Sequence, residues 1–284
     1  MKRLNSSAAL GIALIFLSAC SDSTEQVCDS TENKNVENQI PLDGADNVRD
    51  LGGYTTSDCK VIKNGMLFRS DALSGLTGDD IDILNNLNIE TVVDLRTADE
   101  ISEAPDNLPD SVNWVNYPLL HDVTGGMNQI EFFKAIMSGD LLAEDHMISI
   151  YQNIDQYFID NLIKVFDEIE KGRPVLWHCT SGKDRAGMTT VLLLTALGVD
   201  KESVMADYML SNKYLAKSNE QKKEYFDTNY GEGAGEKFAP MFIVDESYLE
   251  AFYEKLDKDF GGIDNFIKNE IKVDVELLKK HYLQ

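Results

Sequence analysis

The chain has little positive charge. Its 284 residues include 26 lysines and arginines against 49 aspartates and glutamates, which gives a formal net charge of −23 at pH 7. Such a surface repels phosphate backbones and anionic headgroups, so the bulk of the protein is not expected to bind nucleic acid or anionic lipid. A local cationic pocket stays possible, because it needs only a few basic side chains.

Histidine is also scarce. Three of the four histidines, His121, His146 and His281, show no spacing typical of metal ligands, so we expect neither a metal site nor a cofactor. No internal repeat is visible, and the length suits one domain with an appended helical part.

Long apolar runs are absent as well. The run at residues 8–16 follows two basic residues and is too short to cross a membrane, which is the form of a secretory signal over residues 1–20. Its end, Leu17-Ser18-Ala19-Cys20, resembles the bacterial lipoprotein box. That resemblance implies a lipid on Cys20 and an exported protein anchored to the bacterial cell envelope, on its periplasmic or surface side.

Residues 21–40 are polar and contain few apolar side chains. A segment of this composition cannot bury a core, so we predict a disordered tether there and a folded domain over residues 41–284.

One stretch, residues 178–187, concentrates reactive and glycine residues: His-Cys-Thr-Ser-Gly-Lys-Asp-Arg-Ala-Gly. A short apolar run precedes it as a buried strand, and the apolar run at 188–197 follows it as a buried helix. A loop between a strand's end and a helix's start presents backbone N–H groups to an anion. The sequence therefore predicts a phosphate site here.

The chemistry of this loop centres on Cys179. A thiol at a helix N-terminus beside cations ionises easily and becomes a nucleophile. Gly182 permits a tight curl, and Arg185 can donate to two phosphate oxygens at once. A cysteine and an arginine at this spacing also occur by chance, but the strand–loop–helix setting favours the functional interpretation.

His178-Cys179, five residues and Arg185 resemble the signature of the cysteine-dependent protein tyrosine phosphatases. The fuller string is similar to a bacterial branch of tyrosine/serine and phosphoinositide phosphatases, which residues 47–54, 67–70 and 91–96 also match. The resemblance covers residues 41–284. It implies hydrolysis of phosphomonoesters through a phosphocysteine, without a metal. One departure is Ala186, where the family has Thr or Ser; Ser181, Thr189 or Thr190 could replace the missing hydroxyl.

The resemblance also implies roles for single residues. Phosphate would be bound by Thr180, Ser181, Gly182, Lys183, Ala186 and Gly187. Asp184 is the first candidate for the general acid and Asp122 the second, with Asp94 and Asp71 as further candidates. We expect His178 to orient the loop, Asp94 to brace Arg185 or the loop, and Arg96 to hold a second phosphate.

Three functions remain open at this point. In the first, the substrate is a phosphorylated protein and the chain is a protein tyrosine or dual-specificity phosphatase. In the second, the substrate is a phosphoinositide or an inositol polyphosphate, whose several negative charges the Lys183 ammonium would suit. The third hypothesis is a phosphate-binding pseudo-phosphatase, because of Ala186.

Two cysteines remain once Cys20 and Cys179 have roles. In an exported protein we predict a disulfide between Cys28 and Cys59; the alternative is that Cys59 is a buried free thiol.

Strands at 89–95 and 112–117 alternate with helices, which predicts an α/β fold with a mostly parallel sheet and helices on both faces. We expect Thr77 to cap one helix and residues 147–170 to form the longest helix. Asn64-Gly65 is expected to be the turn of a hairpin. Residues 201–284 form extra C-terminal helices. Residues 119–143 form either a lid over the pocket or a docked surface helix.

Overall fold

The computed structural model describes Cys28, Asn33 and residues 36–284. The predicted signal, Cys20 and most of the predicted tether lie outside the described residues. A five-stranded sheet has the order β1-β2-β5-β3-β4. Its strands are β1 Arg49–Asp50, β2 Leu67–Ser70, β3 Thr91–Asp94, β4 Asn113–Asn116 and β5 Val175–His178. Only β1 is antiparallel to its neighbour, so the predicted α/β fold with a mostly parallel sheet is confirmed.

The described part of the chain is otherwise mainly helical. The helices are α1 Gly78–Asn86, α2 Ala98–Glu103, α3 Gln129–Ser138, α4 Ala143–Gln152, α5 Gln156–Ile169, α6 Arg185–Leu197, α7 Lys201–Tyr214, α8 Ala216–Tyr230, α9 Ala234–Phe238, α10 Glu246–Phe260, α11 Ile263–Asn265 and α12 Val275–Tyr282. A 3₁₀ turn, Ala239–Met241, follows α9, and a π-helical turn, Phe266–Glu270, follows α11. None of the helices within the described ranges has the length and apolarity needed to cross a membrane.

Two apolar cores lie on opposite faces of the sheet, because successive strand residues point to opposite sides. Trp177 of β5 faces the larger core, which α5, α6 and α10 complete. Leu176, its neighbour, faces the smaller core together with Leu84 of α1. The cap predicted for α1 is present, since the Thr77 side chain accepts from the Asp80 N–H.

The carboxyl ends of the three central parallel strands lie side by side. His178 at the end of β5 is in register with Ser70 of β2 and with Asp94 of β3. In a parallel sheet this edge is where ligands bind, and the segment that leaves it after His178 is the cysteine loop.

The predicted helix over 147–170 is instead two helices, α4 and α5. The helical path ends at Asn153, and Asp155 begins the next helix by accepting a hydrogen bond from the Phe158 N–H. The prediction failed because both helices bury apolar residues in the same core, so the helical periodicity continues across the break.

The hairpin predicted around Asn64-Gly65 is also wrong. The turn exists, with Gly65 at φ +76°, but the flanking segments do not pair with each other. Val61 bridges Thr55, whereas β2 pairs with β1. Residues 49–55 instead pair antiparallel with the segments on both sides of the turn, Val61 before it and β2 after it.

Residues 36–40, next to the predicted start of the domain at residue 41, are part of the fold. Gln39 bridges Arg49, and the Ile40 N–H donates to the Val48 carbonyl at 2.9 Å. Residues 36–40 thereby cover the edge strand β1 and supply partners for its backbone groups. The polar composition of this segment does not reveal that pairing. Upstream, Cys28 is disulfide-bonded to Cys59 with Cα atoms 5.3 Å apart, the pair expected from the sequence.

Within residues 119–143, α3 is docked rather than free. Phe132 and Ile136 of α3 form a small third core with Phe238 and Phe242 from the α9 region. Of the two alternatives for this segment, the structure shows the docked helix, with a loop over residues 121–128 before it.

Candidate active site

The cysteine loop, residues 179–184, has its carbonyl groups held from outside. The Thr180 carbonyl accepts from the Ala72 N–H at 3.2 Å and the Ser181 carbonyl from the Asn47 side chain at 3.0 Å. The backbone N–H groups of residues 180–185 donate to no other described residue. With its carbonyls turned outward, the loop presents N–H groups inward, which is the arrangement that binds an anion.

Cys179 lies at the end of β5, at the start of this loop. It is a free thiol and only 1% exposed. The curl above it depends on Gly182, which has φ +64° and whose Cβ, if present, would lie 2.3 Å from the Ser70 carbonyl oxygen. Only glycine fits both the backbone conformation and the space.

Arg185, the first residue of α6, is held by a residue that the sequence analysis missed. Its two terminal nitrogens each donate to one oxygen of Glu100 at 2.7 Å. The Thr180 hydroxyl donates to the same carboxylate. A bidentate pair of this kind fixes the plane of the guanidinium, so Arg185 is oriented before any phosphate arrives.

The ion pair shifts the ionisation of both partners. Burial raises the pKa of Glu100, but the hydrogen bonds and charge of Arg185 outweigh burial and lower it to about 2. Burial lowers the pKa of Arg185, but the hydrogen bonds to Glu100 and the negative charge at Cys179 outweigh burial and raise it above its ordinary value. Both groups are therefore charged throughout the physiological range.

A second buried network holds the loop from the other side. Arg69 of β2 donates to the Gly182 carbonyl at 2.7 Å and to Asp207 of α7 at 2.7 Å. Arg49 of β1 donates to the other Asp207 oxygen at 2.9 Å and to the Asn47 side-chain oxygen at 2.6 Å. Burial raises the pKa of Asp207, but the two arginines outweigh burial and lower it. This arrangement gives the matched stretches 47–54 and 67–70 a physical role.

Asp184 is the last loop residue and the one placed best to act as an acid. Both its oxygens contact the buried Lys183 ammonium, at 2.9 and 3.0 Å, and Oδ1 accepts from the Tyr151 hydroxyl at 2.7 Å. Its side chain is 20% exposed, so it is reachable from solvent.

The other acid candidates are held elsewhere. Asp122 lies in the loop over 121–128, on the wall of a cavity of about 460 Å³ that Glu100 also lines. Burial raises its pKa, but the N–H groups of Thr124 and Gly126 outweigh burial and lower it, the wrong direction for a proton donor. Asp71 accepts from the Asp46 and Asn47 N–H groups, both at 3.0 Å, and braces that segment.

Two expectations about β3 and its following turn are corrected. Asp94 contacts Arg96 rather than Arg185, through hydrogen bonds of 2.8–3.2 Å. Arg96 is 1% exposed, it donates to the Ala104 carbonyl, and its Nη2 forms an ion pair with Asp106 at 2.8 Å. It is therefore fully engaged inside the protein and is not placed to hold a second phosphate.

His178 lies behind the loop, next to this pair. Its Nδ1 lies 3.3 Å from the Cys179 carbonyl oxygen, and its Nε2 lies 3.0 Å from Asp106 without the alignment of a hydrogen bond. Asp94, Asp106 and His178 have the mutual spacing of metal ligands. The Arg96 guanidinium forms ion pairs with both carboxylates, however, and already supplies the compensating positive charge.

Ala186 and Gly187 follow Arg185 in the first turn of α6 and have no side-chain hydroxyl. The Thr190 hydroxyl donates to the Ala186 carbonyl at 2.8 Å, and the Thr189 hydroxyl donates to the Arg185 carbonyl at 3.0 Å. A hydroxyl has one proton to donate, so neither threonine replaces the hydroxyl that Ala186 lacks.

Five residues at or around the site were missed from the sequence: Glu100, Asp106, Tyr151, Asp207 and Tyr208. Only Glu100 carries a local signal, since Thr97 and Glu100 have the spacing of a capping box, which α2 does form. The others reach the loop from helices or turns distant in sequence.

The sequence is similar to a protein family and to several known proteins. Residues 40–284 match the model of the tyrosine phosphatase family. A Cupriavidus necator protein that carries the name of a tyrosine-protein phosphatase is 29% identical over 250 residues, 86% of this chain and 88% of that protein. The triple specificity protein phosphatase PtpB of Mycobacterium tuberculosis is 28% identical over 266 residues, 80% of this chain and 92% of that one. Among solved structures, P. aeruginosa TpbA gives a TM-score of 0.33 at 15% identity, over 56% of this chain and 83% of that one.

The Glu100–Arg185 pair predicts a pH-dependent stability. A carboxyl whose pKa falls from 4.5 to about 2 on folding stabilises the protein above pH 4.5, and this contribution is lost as the pH falls towards 2. We expect Glu100→Gln to lower the free energy of unfolding by about 2–3 kcal/mol at pH 7 and by much less near pH 2.5. Urea unfolding of both proteins at the two pH values measures this difference.

Glu103→Gln is the matched control, because Glu103 lies on the same helix and is exposed. It should leave the unfolding free energy nearly unchanged at both pH values. A Glu100→Gln difference of the same size at pH 7 and pH 2.5 would contradict the role of the ionised pair.

Proposed function

The chain belongs to the tyrosine phosphatase family, and we propose that it hydrolyses phosphotyrosine in proteins through a phosphocysteine formed on Cys179. As a member of that family it is a cysteine-dependent hydrolase. The observation that carries the proposed mechanism is the position of this buried free thiol, at the start of a loop with inward N–H groups that ends at Arg185.

The reaction has two steps. In the first, the Cys179 thiolate attacks phosphorus, the sulfur–phosphorus bond forms and the bond to the leaving oxygen breaks while Asp184 donates a proton to that oxygen. In the second, Asp184 takes a proton from water, the water oxygen attacks phosphorus and the thiolate leaves. The products are the dephosphorylated alcohol and inorganic phosphate, and the enzyme regains its starting protonation.

Charge stabilisation comes from groups that are already in place. The loop N–H groups and Arg185 bind the equatorial oxygens as charge shifts onto them in the transition state. Because Glu100 fixes the guanidinium plane, little reorganisation is needed when phosphate enters.

Several observations favour a protein carrying one phosphate over a phosphoinositide. Arg96, the expected second phosphate ligand, is buried against Asp94 and Asp106, and Lys183 is paired with Asp184. The cavity beside Arg185 is lined by carboxylates, which repel further phosphates. The M. tuberculosis relative is by name a protein phosphatase, so protein substrates are the first class to test.

The nucleophile gives the direct test of this function. Cys179→Ser should abolish hydrolysis of an aryl phosphate and of phosphotyrosine peptides, while vanadate still binds, because the loop N–H groups and Arg185 remain. The wild-type protein should be inhibited by vanadate and keep its activity with a metal chelator present.

Substrate class is measured in the same assay with phosphotyrosine peptides, phosphoserine peptides and inositol phosphates. The phosphotyrosine peptides should give the highest kcat/KM. Full activity of Cys179→Ser would refute the mechanism, and preference for inositol phosphates would refute the substrate class.

Ala186 implies a slow second step. A hydroxyl at this position could donate to the sulfur as it leaves, and both nearby threonines donate to backbone carbonyls instead. One absent hydrogen bond to a charged group corresponds to very roughly ten- to a hundredfold in rate. We therefore predict a pre-steady-state burst of product with a fast-leaving aryl phosphate, and a higher steady rate in Ala186→Thr with little change in the burst rate.

Stopped-flow measurement of released aryl alcohol separates the two steps. If the wild-type protein shows no burst, the Ser181 hydroxyl would be the group that assists the sulfur, because the Thr180 hydroxyl donates to Glu100. Ser181→Ala should then produce a burst. Absence of a burst in both proteins would contradict a slow second step.

We also propose that the protein is exported and held at the cell envelope by lipid on Cys20. The support is the basic start, the short apolar run and the Leu-Ser-Ala-Cys string, together with a disulfide between Cys28 and Cys59 of the kind that persists outside the cytosol. With Cys28 bonded to the domain, a chain of eight residue steps spans at most about 28 Å from the anchor.

The anchor predicts a fractionation result. Full-length protein expressed in a bacterium should incorporate labelled palmitate and sediment with membranes. Cys20→Ser should lose the label, whereas Cys28→Ser should keep it, because only Cys20 lies at the predicted lipidation site. Equal labelling of the wild type and Cys20→Ser would refute the proposal.

A further inference from the structure

We propose that Tyr151 and Tyr208 are positioning residues that hold Asp184 in the geometry of a proton donor to the leaving oxygen. This inference rests on the proposed function and adds to it two residues from helices α4 and α7. It is carried by the hydrogen bonds of the two tyrosine hydroxyls and by the absence of a helix-capping hydrogen bond to the Asp184 side chain.

Asp184 occupies the N-cap position of α6 without capping the helix. An aspartate there normally accepts a hydrogen bond from an N–H group of the first turn, but no such bond is present. The carboxylate is instead turned to the Tyr151 hydroxyl, which donates to Oδ1 at 2.7 Å. The side chain thus gives up the bond typical of its position and contacts Tyr151 and Lys183 instead.

Tyr151 is itself held rigidly. Its hydroxyl lies 2.8 Å from that of Tyr208, and both side chains are fully buried. Tyr208 in turn packs against the start of α6, where a Cβ on Gly187 would lie 3.3 Å from its ring. The pair therefore connects the orientation of Asp184 to the helix that carries it.

The direction of these bonds determines which oxygen of Asp184 carries the catalytic proton. Tyr151 has one proton and donates it to Oδ1, so Tyr208 must be the donor between the two hydroxyls. Burial and the charge of Asp184 raise the pKa of Tyr151 well above its usual range, so it stays a donor. Because Oδ1 remains an acceptor, the proton that Asp184 transfers resides on Oδ2.

Lys183 contacts both carboxylate oxygens, and it must release Oδ2 when that oxygen is protonated. Tyr151 then remains the neutral partner that keeps the carboxyl group in place. A neutral donor suits this task, since it can hold the carboxyl in both of its protonation states.

The test compares substrates that differ in their need for an acid. In the full chain, Tyr151→Phe should lower kcat/KM, which reports formation of the phosphocysteine, about tenfold with an alkyl phosphate and less than twofold with an activated aryl phosphate. A good leaving group needs little protonation in that step. Tyr208→Phe should give the same pattern with a smaller loss. Asp184→Asn provides the full effect for reference.

Tyr248→Phe is the matched control. Its ring lies 5.9 Å from that of Tyr151, but its hydroxyl donates to the Pro240 carbonyl at 3.3 Å rather than to Asp184. It should affect both substrates equally and slightly. Equal losses on the two substrates in both Tyr151→Phe and Tyr208→Phe would overturn the positioning role.

The same assay separates this proposal from the proposed function. Wild-type activity on the aryl phosphate together with an inactive Cys179→Ser establishes the phosphocysteine reaction on its own. A flat response of the tyrosine variants then overturns only the positioning role. If Tyr151→Phe does not fold, Tyr208→Phe, which leaves the bond to Asp184 intact, decides between the same two outcomes.

Discussion

The contact between Arg69 and Asp207 is the one on which the shape of the phosphate loop depends. Arg69 turns the Gly182 carbonyl outward, and the inward N–H groups follow from that orientation. An arginine that is fully buried needs a compensating charge, which Asp207 supplies while it also holds Arg49. Removing one partner of a buried ion pair costs about 3–5 kcal/mol, so loss of Asp207 would disturb the loop and the sheet edge together.

What the sequence predicted well is local. The strand, loop and helix around Cys179, the Thr77 cap and the parallel sheet all follow from patterns within about ten residues. The break between α4 and α5 and the pairing of β2 failed, because there the tertiary neighbours decide. The partner of Arg185 was missed for the same reason: Glu100 lies 85 residues before it in the chain, and no spacing connects the two.

The charge distribution reconciles an acidic protein with an anion site. The net charge is −23, yet each buried arginine in the described part of the chain, Arg49, Arg69, Arg96 and Arg185, is paired with a carboxylate. Arg69 and Arg185 contact the phosphate loop directly, whereas Arg49 and Arg96 hold the scaffold around it. Cationic charge is thereby concentrated at one point instead of spread over a surface.

That concentration has a consequence for specificity. A single phosphate needs one guanidinium and the loop N–H groups, whereas a polyphosphate needs further unpaired cations nearby. Two cations near the loop, Lys183 and Arg96, are each held by carboxylates, and carboxylates also line the adjoining cavity. The carboxylates that hold the basic side chains in place therefore also disfavour a second phosphate, so stability and substrate choice depend on the same residues.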